Sequence, residues 1–416
     1  MSVHRGALGD LSNYKVVLKS IQDSVQSLQS AMKRPELFTY EWLDLSPIIS
    51  TVWLVACYYY RTVGSLEKSE GYNTKGITTV EKYLKELNNI GFMLDKKRND
   101  NALFSLFVKF NLLQDMIVIH LSRMEFVLAT KNSLKLIEYL YQFPDLFVTY
   151  RHNIHLLLGI LFFMTEKDRK DSSANKHFEF VINNCPSKQL VAWAMIFQMF
   201  WKLNASQSTY STKDMFREVD DFSKYLKKNG LREAENFHSI ISFIKGILCY
   251  RNNALQEAKS HFSKCIESAE ETNSLPKNVV RQCMLSILKS LWKKDESNKQ
   301  AAIEEVTKIL AEANKDQDLI GKMQALSTLL YLANYSSNNN NTDSMLMDTT
   351  PDVFDAKNIH LSQPEPISGE LDQTEHRFQE NIQTLFSSGE ISSQYSTLLS
   401  WFPDTNDSYQ VMLNNI

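Results

Sequence analysis

The 416 residues are 43% apolar and 22% charged, carry a formal charge of -3, and include only 12 Gly and 9 Pro. Such a chain can bury one large core or a stack of smaller ones. It has too little glycine for a phosphate-cradling loop or a sheet of tight hairpins, and no basic excess for tracking a nucleic acid. An almost all-helical protein is therefore expected.

Residues 1–47 hold one amphipathic helix, 13–32, with Val16, Val17, Leu18, Ile21, Val25, Leu28 and Met32 at steps near three and four. Pro35 stops it, and a connection over 36–47 follows. From 48 to 335 a hairpin pattern recurs. Its first copy pairs a helix at 48–61, rich in Trp and Tyr, with a second that runs to Leu87; Ala56 and Cys57 stand opposite Ser69, Asn73 and Gly76. Helices at 103–128 and 133–143 form the next pair, ending at Pro144. A clearer copy sets Leu158 and Gly159, in a helix over 152–164, against Ala174, Phe178 and Val181 beyond a polar turn at 165–173. Helices at 190–203 and 214–228 follow, joined by a Ser/Thr-rich turn.

The best-preserved copy spans 237–269. Gly246 lies in an apolar first helix, Arg251 to Ala254 form the turn, and Ala258, twelve residues past the glycine, shares a face with Phe262 and Cys265. A small residue in one helix admits a ring from the other, which is the packing logic of a tetratricopeptide (TPR) hairpin. Helices at 281–292, 301–314 and 319–335 complete the array. Units of about 40 residues predict an all-α fold, an α-solenoid of TPR-like helical hairpins. Residues 336–374, opening with Ser336, Ser337 and four Asn, read as a disordered Asn/Ser-rich linker, and 375–416 as a short C-terminal helix, a candidate cap, with a tail.

Chemistry is hard to find. There is no H-E-x-x-H, Walker loop or G-x-S-x-G, so neither catalysis nor a cofactor is expected. His152 and His155, three apart, lack a carboxylate or Cys at matching spacing and read as helix-surface residues. The five cysteines, Cys57, Cys185, Cys249, Cys265 and Cys283, show no C-x-x-C spacing and predict a reducing compartment. Residues 1–20 lack an apolar h-region, and the runs 154–164 and 190–203 are too short or broken to span a bilayer, so a soluble intracellular protein with no membrane partner is expected.

A solenoid binds along the concave wall lined by its first helices. Positions three before, one after and four after each glycine are assigned to that wall: Phe243, Ile247, Tyr250 and the adjoining Arg251 around Gly246, and Leu156, Ile160, Phe163 and Met164 around Gly159. They would suit a long hydrophobic partner segment; the other placement open to them is packing between neighbouring repeats.

Several stretches, in order, resemble the MAU-type chromatid cohesion factors, the TPR-like subunits of the cohesin-loading complex. Trp53-Leu54-Val55 with Gly64-Ser65-Leu66-Glu67-Lys68 is similar to that family's hairpin with a Gly-Tyr-Leu-Glu-Lys turn, and Phe143-Pro144-Asp145-Leu146-Phe147 to its Ser-Pro-Arg-Leu-Phe. His155-Leu156-Leu157-Leu158-Gly159 resembles its His-Thr-Leu-Leu-Gly, and Lys188 to Trp193 opens a helix as in its next pair. Phe243-Ile244-Lys245-Gly246 and Glu257-Ala258-Lys259 resemble Tyr-Val-Arg-Gly and Glu-Ala-Lys. The likeness covers roughly 14–335, with His376-Arg377-Phe378 as a last piece; the family's N-terminal hairpins have no counterpart, nor has the Asn-rich insert in the family.

The resemblance implies a nuclear, chromatin-associated, non-catalytic scaffold. Its partner would be the large HEAT-repeat cohesin-loader subunit, bound as a heterodimer through an extended segment, with cohesin and chromatin engaged indirectly and no small-molecule substrate. The alternative is another TPR-type adaptor subunit of a cytosolic or vesicle-associated assembly.

Overall fold

The computed structural model describes residues 44–62, 65–89, 96–165, 173–204, 211–231, 237–272, 281, 283–288, 299–315 and 319–334, with single positions at 19 and 23 and several between 369 and 384. Among the described residues there is no strand. The helices pair along the chain: α1 Leu45–Thr62 with α2 Leu66–Asn89, α3 Lys96–Ser122 with α4 Phe126–Tyr141, and α5 Pro144–Thr165 with α6 Ser173–Asn184. Next come α7 Lys188–Asn204 with α8 Thr212–Lys228, α9 Phe237–Arg251 with α10 Leu255–Thr272, and α11 Lys299–Lys315 with α12 Leu319–Asn334. This is the consecutive-hairpin architecture of an all-α solenoid. It divides into two compact units, Met1–Tyr150 with Pro403–Ile416, and Arg151–Phe402.

In the first unit α1 packs on both α2 and α3, α2 on α3, and α3 on α4, so the first helix α1 meets its own partner and the next first helix. Leu54, Val80, Val108 and Leu112 form an apolar centre. Beside it lies a buried polar network. The Cys57 thiol donates to Asp115 Oδ2 at 2.6 Å, and Arg61 Nε stands 2.7 Å from Asp115 Oδ1. Ser69 Oγ donates to the Cys57 carbonyl at 2.8 Å, and Asn73 Nδ2 to the Leu112 carbonyl at 2.8 Å. Burial, then the Asp115 charge, push the Cys57 thiol pKa up, so the thiol keeps its proton and serves as a donor. In this hairpin Ser69 and Asn73 thus hold α2 in place by hydrogen bonds, where later hairpins use a ring.

Two helix ends differ from the sequence reading. The expected helix over 103–128 is two helices, broken at Arg123–Glu125. Met124 adopts φ 58° there, and the Glu125 N–H returns to the His120 carbonyl at 2.9 Å. A left-handed C-terminal cap normally advertises itself with Gly or Asn, and here a buried Met takes the place. Pro144, expected to end a pair, instead opens α5, where its fixed φ and missing N–H suit the first helical position. Pro47 likewise sits in the first turn of α1. α3 also contains Asp100–Ser122, long and apolar enough by composition to cross a membrane, but most of it is buried within the protein, where α3 packs on α1, α2 and α4.

The second unit shows the ring-and-glycine packing directly. A Cβ on Gly159 would stand 2.5 Å from Phe178 Cε1, and one on Gly246 would stand 2.6 Å from Phe262 Cε1. Only glycine lets the second helix seat its ring so close to the first helix's backbone. Ala174, Phe178 and Val181 are fully buried, as are Ala258, Phe262 and Cys265. α7 and α8 join α9 in one core through Ile196, Met199, Val219, Phe222, Ile244 and Leu248. The turn after α9 places Asn253 at φ 59°, a conformation Asn tolerates. Further along, α11 and α12 share a core with Leu285. Helical positions reappear at 369 and 371–374, ahead of the expected short helix, and Leu371 packs on Leu326 and Leu330 of α12. The predicted helix at 13–32, apart from Lys19 and Asp23, and nearly all of the linker and tail lie outside the described residues.

Candidate interaction surface

Two of the assigned wall positions in the second unit, Phe243 and Leu156, are buried in the structure. Phe243 is 4% exposed and packs against Phe200 of α7 and Phe262 of α10, each at a ring-centroid distance of 6.1 Å. Leu156 is 9% exposed. Both are core. The reason is angular: residues three before and four after a helical position lie only roughly 40–60° from it, on the same face. Phe243 and Tyr250 therefore point with Gly246 toward α10. Ile247, Tyr250 and Arg251 are half-buried, as are Ile160 and Phe163, and burial pushes the Tyr250 phenol pKa up. The opposite side of α9, through Ile244 and Leu248, is buried with α7 and α8, which leaves His238 as its one exposed position.

Among the described residues, the exposed large apolar side chains lie in the first unit. Leu103, 56% exposed, and Phe107, 40% exposed, are four apart on α3. They lie on the side opposite Leu112, which faces α2 and would contact a Cβ on Gly76. Tyr150 extends this strip, its ring 6.0 Å from Phe107 and stacked 4.1 Å from Phe110. Asp100, Asn111 and Gln114 fall on the same side by helical spacing and give it a polar rim. Sequence reading passed over these residues because α3 is apolar on nearly every side. The available signal was an excess: α3 has more apolar faces than its neighbours cover.

Titratable groups gather elsewhere and are packed rather than presented. His152 and His155, expected on the helix surface, are buried, as is His177. His155 Nδ1 lies 2.8 Å from His177 Nδ1, so one ring donates a proton that the other accepts. Phe180 stands 4.0 Å from the His155 ring and Phe162 5.3 Å from His177. Burial, followed by the charges of His177, His152 and Arg151, pushes the His155 pKa down to about 2, and burial pushes His177 down to about 3. Among the described residues no three His, Cys, Asp or Glu side chains gather to hold a metal ion. A pocket of about 490 Å³ is lined by Trp53, Lys75, Thr78, Lys82 and Tyr83 on α1 and α2.

The features described define an all-α helical-repeat protein that, among the described residues, exposes an apolar strip with a polar rim on α3. No protein-family model matches the chain. Over 334 residues it is 22% identical to the MAU2 chromatid cohesion factor homolog of Drosophila grimshawi and 21% identical to that of Drosophila mojavensis. Each match takes in 75% of this chain and 48% of the relative, so the chain spans about half the length of the curated relatives it matches. The chain resembles a MAU2-type protein in sequence, in agreement with the ordered motifs above.

Proposed function

We propose that this chain is a non-catalytic scaffold of the cohesin-loading machinery in the nucleus. In this reading it holds an extended segment of the large HEAT-repeat loader subunit and so supports the loading of cohesin onto chromatin for sister-chromatid cohesion. The observation that carries the reading is the likeness to two MAU2 chromatid cohesion factor homologs over 75% of the chain, joined to a hairpin array that leaves an apolar strip uncovered. Leu103, Phe107 and Tyr150 are the contacts we assign to the partner, because an exposed aromatic and aliphatic strip with a polar rim is the surface a long apolar segment seeks. The formal charge of -3 agrees with DNA being contacted by the partner.

The test is recovery of the tagged chain from cells at low salt. The large HEAT-repeat protein and cohesin subunits should co-purify, and the double substitution Leu103→Asp, Phe107→Asp should lower that recovery on the order of tenfold while leaving helical circular dichroism unchanged. Failure of the wild-type chain to recover a HEAT-repeat protein would refute the function. Undiminished recovery by the variant would refute the surface.

A further inference from the structure

One face of α2 gathers positive charge beside aromatic rings. Lys68, Lys75 and Lys82, all exposed, recur at every seventh position and so lie along one line, with Tyr72, Thr78, Thr79 and Glu86 within roughly 60° of it. Glu86 is the single carboxylate on that face. α1 meets it with rings. Tyr72 is stacked against Tyr60 at 5.1 Å and against Trp53 at 5.5 Å, and because those two stand two turns apart on α1, Tyr72 sits between them. The Lys75 ammonium lies 5.7 Å from the Trp53 ring and 5.4 Å from Tyr72, and Lys68 lies 5.5 Å from Tyr60. Neither lysine has a carboxylate partner among the described residues, and Lys82 has only Glu86 at 4.0 Å. Beside Lys75 and Lys82 the face opens into the pocket of about 490 Å³, with Trp53 and Tyr83 in its walls. The Thr78 and Thr79 hydroxyls that line it donate to the carbonyls of Thr74 and Lys75, at 2.9 and 2.8 Å, so their oxygens remain able to accept.

We propose that this face of α1 and α2 docks an acidic peptide segment of another protein, laid along α2 in polyproline II form. Its carboxylates would meet Lys68, Lys75 and Lys82, and one apolar side chain would enter the pocket beside Trp53. The site is separate from the α3 strip. Charge is the first argument: contact with a ring holds each ammonium in place without a counter-charge, so an incoming carboxylate gains an ion pair and breaks none at Lys68 or Lys75. Spacing is the second. Seven helical residues rise about 10.5 Å, and three residues of polyproline II rise about 9 Å and return to the same side, so an acid at every third position keeps pace with the lysines. Hydrogen bonding is the third, because the Thr78 and Thr79 oxygens can accept from the N–H groups of an extended backbone. A nucleic acid fits this face less well. The rings stack on one another instead of standing apart as platforms for bases, and Glu86 opposes phosphate at the pocket.

Fluorescence anisotropy on the full chain tests the proposal with a fluorescein-labelled peptide, Glu-Phe-Pro-Glu-Phe-Pro-Glu, whose acids fall at every third position. Saturable binding that weakens with added salt is expected. Replacing the glutamates by glutamine, or the phenylalanines by serine, should each weaken binding on the order of tenfold. Lys75→Gln with Lys82→Gln alters only exposed side chains, so the fold should hold while affinity falls on the order of fivefold. Leu103→Asp with Phe107→Asp should leave the affinity unchanged. Absence of saturable binding, equal affinity for the glutamine peptide, or undiminished affinity in the lysine variant would overturn the proposal. Loss of binding in the α3 variant would overturn it by moving the peptide to that strip, and tighter binding of an oligothymidylate of equal charge by assigning the face to a nucleic acid. No loader subunit takes part, so the outcome is independent of the proposed function.

Discussion

The His155–His177 pair makes a sharp prediction about acid. Both rings are fully buried, hydrogen-bonded Nδ1 to Nδ1, and surrounded by Phe162 and Phe180. A proton on the accepting nitrogen abolishes the hydrogen bond and puts a charge beside Arg151 and His152. The folded pKa values, about 2 and about 3, lie below the unfolded value near 6.5, so between these limits the unfolded chain binds protons that the folded chain does not. The contribution to stability is therefore complete above pH 6.5 and is lost as pH falls toward 3. Each ring contributes up to about 1.4 kcal/mol per pH unit, so the pair should cost the second unit roughly 3 kcal/mol between pH 6.5 and 5, a large share of a typical domain's 5–15 kcal/mol. Urea unfolding across that range would show the loss as a falling midpoint. The double substitution His155→Leu, His177→Leu removes both titrating groups and both hydrogen-bond partners together, and should flatten the pH dependence with little change at pH 7.5. An equally steep loss in the double variant, or a His155 ring that titrates near 6.5 by NMR, would refute the reasoning.

Two further substitutions separate packing from surface. Gly246→Ala drives a methyl to 2.6 Å from Phe262 and should destabilise by about 1–3 kcal/mol, whereas Gly71→Ala, in α2 with nothing within 4 Å, should stabilise by up to about 1 kcal/mol; equal melting temperatures for the two would contradict the ring-in-glycine packing. Phe243→Asp removes a buried ring and buries a charge, for a loss on the order of 3–5 kcal/mol or more, so helical circular dichroism should fall; a well-folded variant would return Phe243 to the surface.

The hairpins were legible because helical periodicity and small-to-large complementarity are local signals. Gly246 with Phe262, and Gly159 with Phe178, announce themselves through sequence spacing, since each pair is a contact between adjacent helices joined by a short turn. Met124 was not legible for the opposite reason. A left-handed residue usually costs a side chain strain and so selects Gly or Asn, but here burial of Met124 and the cap bond from the Glu125 N–H to His120 offset that cost. Tertiary packing, invisible locally, decided where α3 ends.

Two of the assigned wall positions, Phe243 and Leu156, fell on the packed side for a geometric reason rather than one of residue type. Marking positions at three and four residues from a glycine selects the glycine's own face, so Phe243 and Leu156 were bound to be core once Gly246 and Gly159 met their partner rings. Subtraction would have served better, with each apolar position on a first helix first assigned to its own partner or to the next first helix. On α3 that leaves Leu103 and Phe107, which are exposed. In a repeat array the apolar positions that stay exposed, such as Leu103, carry the information about what the stack could still meet.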